Sequence, residues 1–293
     1  MIRFSRFIWL YFLISGLVLI PGLISLFRFG LRPSIDFSGG TLLEIRTSKS
    51  IPEGEIMASG TAASVTLSSV QRSGASDYLL RMKPETPEHV GILTAKIAKD
   101  SGATITVVRN ETVGPVLGKE LLSKATFAAI LAISAILLYV AYAFKNIKYG
   151  VAAVIALLHD LLVILGSFSL LGHFAGVEVD TLFVTAFLTT MSFSVHDTIV
   201  VFDRIREYLR HGKSQSFTDL CDIALTETVN RSVTNSFTII FMLLALALMG
   251  GESIRWFVVA LLIGTVSGTY SSPFIATPML LIWDTWEKRR KQR

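Results

Sequence analysis

Residues 182–202, LFVTAFLTTMSFSVHDTIVVF, are long and apolar enough to cross a bilayer, yet they carry an aspartate, Asp197. A hydrocarbon core about 30 Å thick is spanned by roughly 20 helical residues, which fits the run. An ionised carboxylate inside that core costs roughly 2.5 to 3.5 kcal/mol on insertion scales, so Asp197 needs a partner, a water-filled cavity or a proton. It therefore reads as a functional group. His196 precedes it, and Ser192, Ser194 and Thr198 supply hydroxyls able to hold water and pass protons. The plainer alternative is a structural aspartate bonded to a neighbouring helix.

Working outward, the 293 residues are 52% hydrophobic and only 17% charged. Further apolar blocks lie at residues 7–27, 127–144, 150–171, 233–249 and 254–283, giving six candidate spans in all. The first lacks a small-residue cleavage site and is too long for a removable signal peptide, so it is expected to remain as an anchor. Lys and Arg are retained on the cytoplasmic side of a membrane. Four basic groups fall on one side of the predicted topology: Arg3 and Arg6; Lys145 and Lys148; Arg204, Arg206, Arg210 and Lys213; and Lys288, Arg289, Arg290, Lys291 and Arg293. The opposite short loops, residues 173–180 and 250–255, are near neutral or acidic. Both termini are thus expected in the cytoplasm, with residues 28–124 outside between spans one and two. The net charge of +5 follows from this topology and from contact with anionic membrane lipid, with no call for nucleic acid.

The external stretch reads as strand 41–47, a weak helix 52–58, strands 64–71 and 77–83, helix 86–100 and strand 103–111. Thr86 suits the N-cap of the second helix, Pro87 its first turn and Gly102 its end. The order βαββαβ is that of a ferredoxin-like sandwich. The first helix is the doubtful element, because Gly54 and Ser59-Gly60 interrupt it. The domain shows no nucleophile with a base, no metal-ligand cluster and no phosphate loop, so neither an enzyme nor a cofactor or metal is expected. Cys221, the sole cysteine, is placed in a cytoplasmic loop and read as a small apolar residue, with no intrachain disulfide possible.

Within the membrane, His159 and Asp160 fall about ten residues into the third span, roughly 15 Å from its end. Arg231 opens the fifth span, with Asn235 and Thr238 along its face; it reads equally as an electrostatic partner of Asp197 or as a snorkelling anchor. Gly264, Gly268 and Ser272 form a small-residue stripe at four-residue spacing, a helix-packing surface. Pro273 and Pro278 are expected to bend or loosen the sixth span unless neighbours satisfy the freed carbonyls.

Three strings give the chain a resemblance to the SecF family, the smaller subunits of the bacterial SecDF complexes of the resistance-nodulation-division superfamily. They are IDFSGGT at 35–41, TVGPVLGKEL at 112–121 and HDTIVVFDRIRE at 196–207. The resemblance runs nearly end to end. It implies a bundle of six transmembrane helices with one external α+β ferredoxin-like domain between helices 1 and 2, a fourth-span aspartate in a proton pathway, matching Asp197, and an arginine opening span five, matching Arg231. His196 departs from the family, where Asn is usual before the aspartate. An imidazole can itself take a proton, although a neutral histidine donating one hydrogen bond is the simpler reading.

The expected organisation is residues 1–27 as helix 1, 28–124 as the external domain, 125–283 as helices 2–6 and 284–293 as a basic cytoplasmic tail. The expected function is proton-motive-force-driven assistance of late Sec-dependent protein export in the bacterial inner membrane. Partners would be a SecD-like subunit, a SecYEG-type translocon and a translocating preprotein, with protons as the coupling ion. Asp197, Arg231, His196 and Asp160 would form the relay. Asp36, Gly39, Gly40, Gly114 and Pro115 would mark the domain junctions. The alternatives are a half-size proton-driven exporter of small molecules or lipids, or a structural assembly subunit.

Overall fold

The computed structural model describes residues 3–211 and 215–291. Its chain forms two compact units, Met1–Arg32 with Phe127–Arg293, and Pro33–Thr126. Among the described residues, six helical segments are long and apolar enough to cross a membrane.

In the first unit, a 3-10 turn Phe4–Phe7 leads into α1 (Ile8–Phe29). α2 (Ile35–Ser38), α3 (Glu53–Ala62) and α4 (Pro87–Ser101) belong to the second unit, and α5 (Pro115–Phe144) continues from it. α6 (Ile147–Ala175), α7 (Thr181–His211), α8 (Phe217–Met249) and α9 (Glu252–Ser271) follow, and a π-helical turn, Ser272–Ala276, joins α9 to α10 (Thr277–Lys291).

Two helices begin well before their apolar blocks. α5 starts at Pro115, inside the stretch expected to be external. α8 starts at Phe217, where Ser216 caps it by accepting the Asp219 N–H at 3.1 Å. Its first turns bury Leu220, Cys221, Ala224 and Leu225, so Cys221 is a fully buried helical residue and not a loop residue. Lys213 and Arg293 lie outside the described residues.

Helix crossings are set by small residues. α1 meets α6 at Gly22 and Gly166, so closely that a Cβ on Gly22 would stand 3.0 Å from the Gly166 Cα. The Ser25 and Ser169 hydroxyls bond at 2.8 Å, and Phe29 stacks on His173 at 3.7 Å. Partners advance together along both helices, so these helices run parallel. α7 and α9 also run parallel: Gly264 faces Thr190, Gly268 faces Ser194, and Ser272 bonds Thr198 at 2.9 Å. Four-residue steps keep each set on one helix face. The stripe is thus an intrachain seam, and a Cβ on Gly268 would press to 3.1 Å from the Ser194 Cα.

Proline at 273 has no N–H to return to the preceding turn, and the helix widens there into its π turn. The Ser272 hydroxyl lies 3.1 Å from the Gly268 carbonyl, which keeps the loosened backbone bonded.

The second unit holds a four-stranded antiparallel sheet in the order β2-β3-β1-β4, from β1 (Gly40–Thr47), β2 (Leu67–Arg72), β3 (Asp77–Met82) and β4 (Ile105–Val113). Alternation along β1 and β3 sends Leu43, Ile45, Tyr78 and Leu80 into one core with Ile56 of α3 and Leu93 and Ile97 of α4. α3 runs through both of its doubtful positions. Gly60 is needed because a Cβ there would meet the Leu67 side chain at 2.6 Å, and the Ser59 hydroxyl donates to Asp100 at 2.8 Å. The Arg46 guanidinium bonds Asp77 at 2.7 Å and holds that carboxyl below the usual carboxylate range.

Candidate functional site

Asp197 lies near the middle of α7, half-buried, with His196 exposed beside it. It lines a cavity of about 20 Å³ together with His196, Asn235 and Ser236 of α8 and Gly268 and Thr269 of α9. That volume fits about one water molecule, and the lining offers enough polar groups to hold it. Among the described residues, Asp197 makes no hydrogen bond or ion pair. Its carboxylate is therefore left facing the cavity.

Arg231 lies well inside α8 rather than at its start, one turn before Asn235. Its side chain is exposed and, among the described residues, pairs with no carboxylate. The expected Asp197–Arg231 contact is absent from this conformation. Instead Arg204, two turns along α7, bonds Glu207 and Glu227 and ties α7 to α8, its Nε reaching Glu227 at 2.7 Å.

Asp160 is in opposite circumstances. It is 2% exposed, and its oxygens accept hydroxyls from Ser194 on α7 and from Ser267 and Ser271 on α9, each at 2.6 Å. The His159 Nδ1 stands 3.1 Å from the same carboxyl, and its Nε2 stands 3.1 Å from the Ser15 hydroxyl of α1. Ser15 in turn bonds the Tyr270 hydroxyl at 3.3 Å, which donates to the Tyr11 carbonyl at 2.7 Å. A buried carboxyl whose oxygens are all hydrogen-bonded escapes much of the penalty of an unsatisfied buried group. The cluster ties four helices together, and Ser194 places it one helical turn from Asp197.

The cage was only partly legible in the sequence. Asp160, His159 and Ser194 draw attention by type and position, but Ser15, Ser267 and Ser271 are ordinary serines whose convergence depends on tertiary structure.

The junction residues converge within the sheet unit. Ser34 caps α2 by accepting the Asp36 N–H at 3.2 Å. Gly39 and Gly40 then turn the chain into β1 with φ of +74° and +140°, conformations that favour glycine. A Cβ at Gly40 would stand 2.9 Å from the Met82 carbonyl. Gly40 pairs with Val113, just before Gly114 and Pro115 open α5. The first turn of α5 then presses on α2, where a Cβ at Gly118 would meet the Phe37 carbonyl at 2.8 Å. The entry and exit of the unit are therefore adjacent.

Comparison with known proteins decides the family. Residues 93–286 match the model of "Protein export membrane protein SecD/SecF, C-terminal", and residues 24–51 match that of the "SecD/SecF GG Motif". The chain belongs to the SecD/SecF family. Within it the chain is a SecF-type subunit of the protein-translocation machinery. The SecF subunit of Thermobaculum terrenum is 42% identical, covering 97% of this chain and 94% of that one. That of Anaerolinea thermophila is 40% identical, covering 96% and 94%. The crystal structure of SecDF from Thermus thermophilus, described as a translocon-associated membrane protein, superposes with a TM-score of 0.83 at 29% identity. The superposition covers 95% of this SecF-type chain but 38% of the SecDF chain. SecDF in its super-membrane-facing form gives a TM-score of 0.70 at 29% identity, covering 99% and 39%. The double glycine of the second motif is Gly39-Gly40, the positive-φ turn into β1.

Proposed function

We propose that this SecF-type chain joins a SecD-like bundle in the bacterial inner membrane and that the proton motive force, acting through Asp197, drives the pair to assist late steps of Sec-dependent export. One observation carries the proposal. Asp197 is half-buried, unpaired among the described residues, and set with an exposed His196 beside a water-sized cavity on the side of a membrane bundle. An ionisable group in that position needs protein cover and a reason for its cost. A second bundle supplies the cover, and proton exchange supplies the reason.

Protonation neutralises Asp197 and removes its demand for water. When it is ionised, Arg231, one turn before Asn235 on α8, is the arginine able to swing toward it. Asp160 would serve the relay by position: it holds α7 and α9 in register through Ser194, Ser267 and Ser271 while Asp197 exchanges the proton. Movement would pass to the sheet unit, whose βαββαβ order and β2-β3-β1-β4 sheet support a ferredoxin-like domain outside the membrane between helices 1 and 2. That domain would act on a preprotein leaving a SecYEG-type translocon. One charge crossing 100 mV supplies about 2.3 kcal/mol, enough to bias a two-state element, so several protons or many cycles serve each chain exported.

The test is preprotein export by inverted vesicles holding the complete complex. Asp197→Asn should remove the stimulation that a proton gradient gives while leaving insertion and co-purification with the partner unchanged. Stimulation at the native level in the Asn protein would defeat the proposal.

A further inference from the structure

At the basic end of the membrane unit, the turn before α1, the first turn of α8 and the face of α10 enclose a groove of about 460 Å³. Its wall is apolar, from Ile8, Leu281, Ile282 and Trp286, and its rim carries Arg6 and Arg289. The volume lies within the roughly 300–1,000 Å³ of small-molecule sites.

Its polar inventory narrows what it can hold. The Ser5 hydroxyl is spent on Asp222 at 2.7 Å, and the Thr285 hydroxyl on the Leu281 carbonyl at 2.8 Å. The neighbouring carboxylates are also engaged: Asp222 takes both the N–H and the hydroxyl of Ser5, and Asp284 pairs with Lys288 at 2.7 Å. Arg6 and Arg289 are exposed and, among the described residues, have neither an ion pair nor a side-chain hydrogen bond. The two guanidinium groups are therefore the charged donors left for a ligand. Arg290 is turned instead onto the Trp286 ring, 5.7 Å from its centroid, and does not line the groove.

We propose that this groove binds one anionic glycerophospholipid, its phosphate held between Arg6 and Arg289 and an acyl chain laid along Ile8, Leu281 and Ile282. Two guanidinium groups match a phosphate in charge and in forked geometry. The apolar wall continues into the membrane-spanning parts of α1 and α10, and Trp and Arg at helix ends mark the headgroup level. A soluble anion would use the arginines and leave the wall exposed. A zwitterionic lipid would cover the wall and leave the arginines without a net countercharge. An anionic lipid meets both demands and would fasten the N-terminal turn to α8 and α10.

The test is native mass spectrometry of the full chain with its copurified partner, titrated with phosphatidylglycerol or with phosphatidylcholine. One phosphatidylglycerol should be retained at least about tenfold more tightly than phosphatidylcholine, and Arg6→Gln with Arg289→Gln together should abolish that preference. Arg290→Gln, off the rim, should keep it, and Ile282→Trp, which fills the groove, should weaken both lipids. Melting temperatures of all variants check that they fold. Equal retention of the two lipids, an unchanged preference in the double variant, the same loss in Arg290→Gln, or displacement by inorganic phosphate would each overturn the proposal.

Discussion

Asp197 and Asp160 share one bundle but stand in opposite surroundings, and their substitutions should differ in kind. Asp160 is held by three serine hydroxyls and His159, with its acceptor sites taken. Asp160→Asn breaks a buried pair and turns two N–H donors toward groups already donating. It should cost about 3 to 5 kcal/mol, read as a fall in melting temperature of the detergent-solubilised protein. Ser271→Ala removes one donor and should cost about 1 to 3 kcal/mol in the same assay. Asp197→Asn should melt within about 0.5 kcal/mol of the native protein, as expected where no bond is lost. Equal destabilisation at 160 and 197 would mean that Asp197 has a structural partner in the assembled protein. The sequence marked Asp197 because charge inside an apolar run is conspicuous in one dimension. The Asp160 cage is conspicuous only in three, since its serines come from α1, α7 and α9.

At the scale of elements, α7 and α9 are joined by small residues and hydroxyls in four-residue steps. The stripe itself could be read from spacing, but its partner could not: Thr190, Ser194 and Thr198 look like any polar residues of a functional span. Gly268→Leu should push the helices apart at Ser194, disturb the Asp160 cage and cost about 1 to 3 kcal/mol by overpacking. Gly268→Ala should be milder, since one methyl needs only a small shift. Melting temperature and co-purification with the partner check this. An unchanged Leu variant would show that the seam opens in the working complex. Strand positions in the sheet unit were legible because alternation and cap residues are local signals. The early starts of α5 and α8 were not, because their first turns are polar and hydropathy marks where a helix enters lipid, not where it begins. The α1–α6 crossing at Gly22 and Gly166 was also hidden, as each helix contributes one glycine and one serine to it, too short a pattern to stand out.

At the scale of the whole molecule, proton-coupled export needs the sheet unit outside the membrane and the basic ends inside. The sole cysteine, Cys221, is fully buried and should give little background in labelling. A cysteine placed at Ala75, in the turn between β2 and β3, should react with a membrane-impermeant maleimide in spheroplasts. One placed at Arg290 should react only after permeabilisation. The reverse pattern would invert the topology and, with it, the direction of proton entry. Whether Asp197 passes protons in service of export is read directly from proton flux. Vesicles containing this chain, its SecD-like partner and a translocon, loaded with a pH-sensitive dye, should show proton entry that rises when a preprotein occupies the translocon. Asp197→Asn should abolish that rise and Arg231→Met diminish it, with Arg231→Lys restoring part of it. Preprotein-dependent flux of native size in the Asp197→Asn protein would contradict that role.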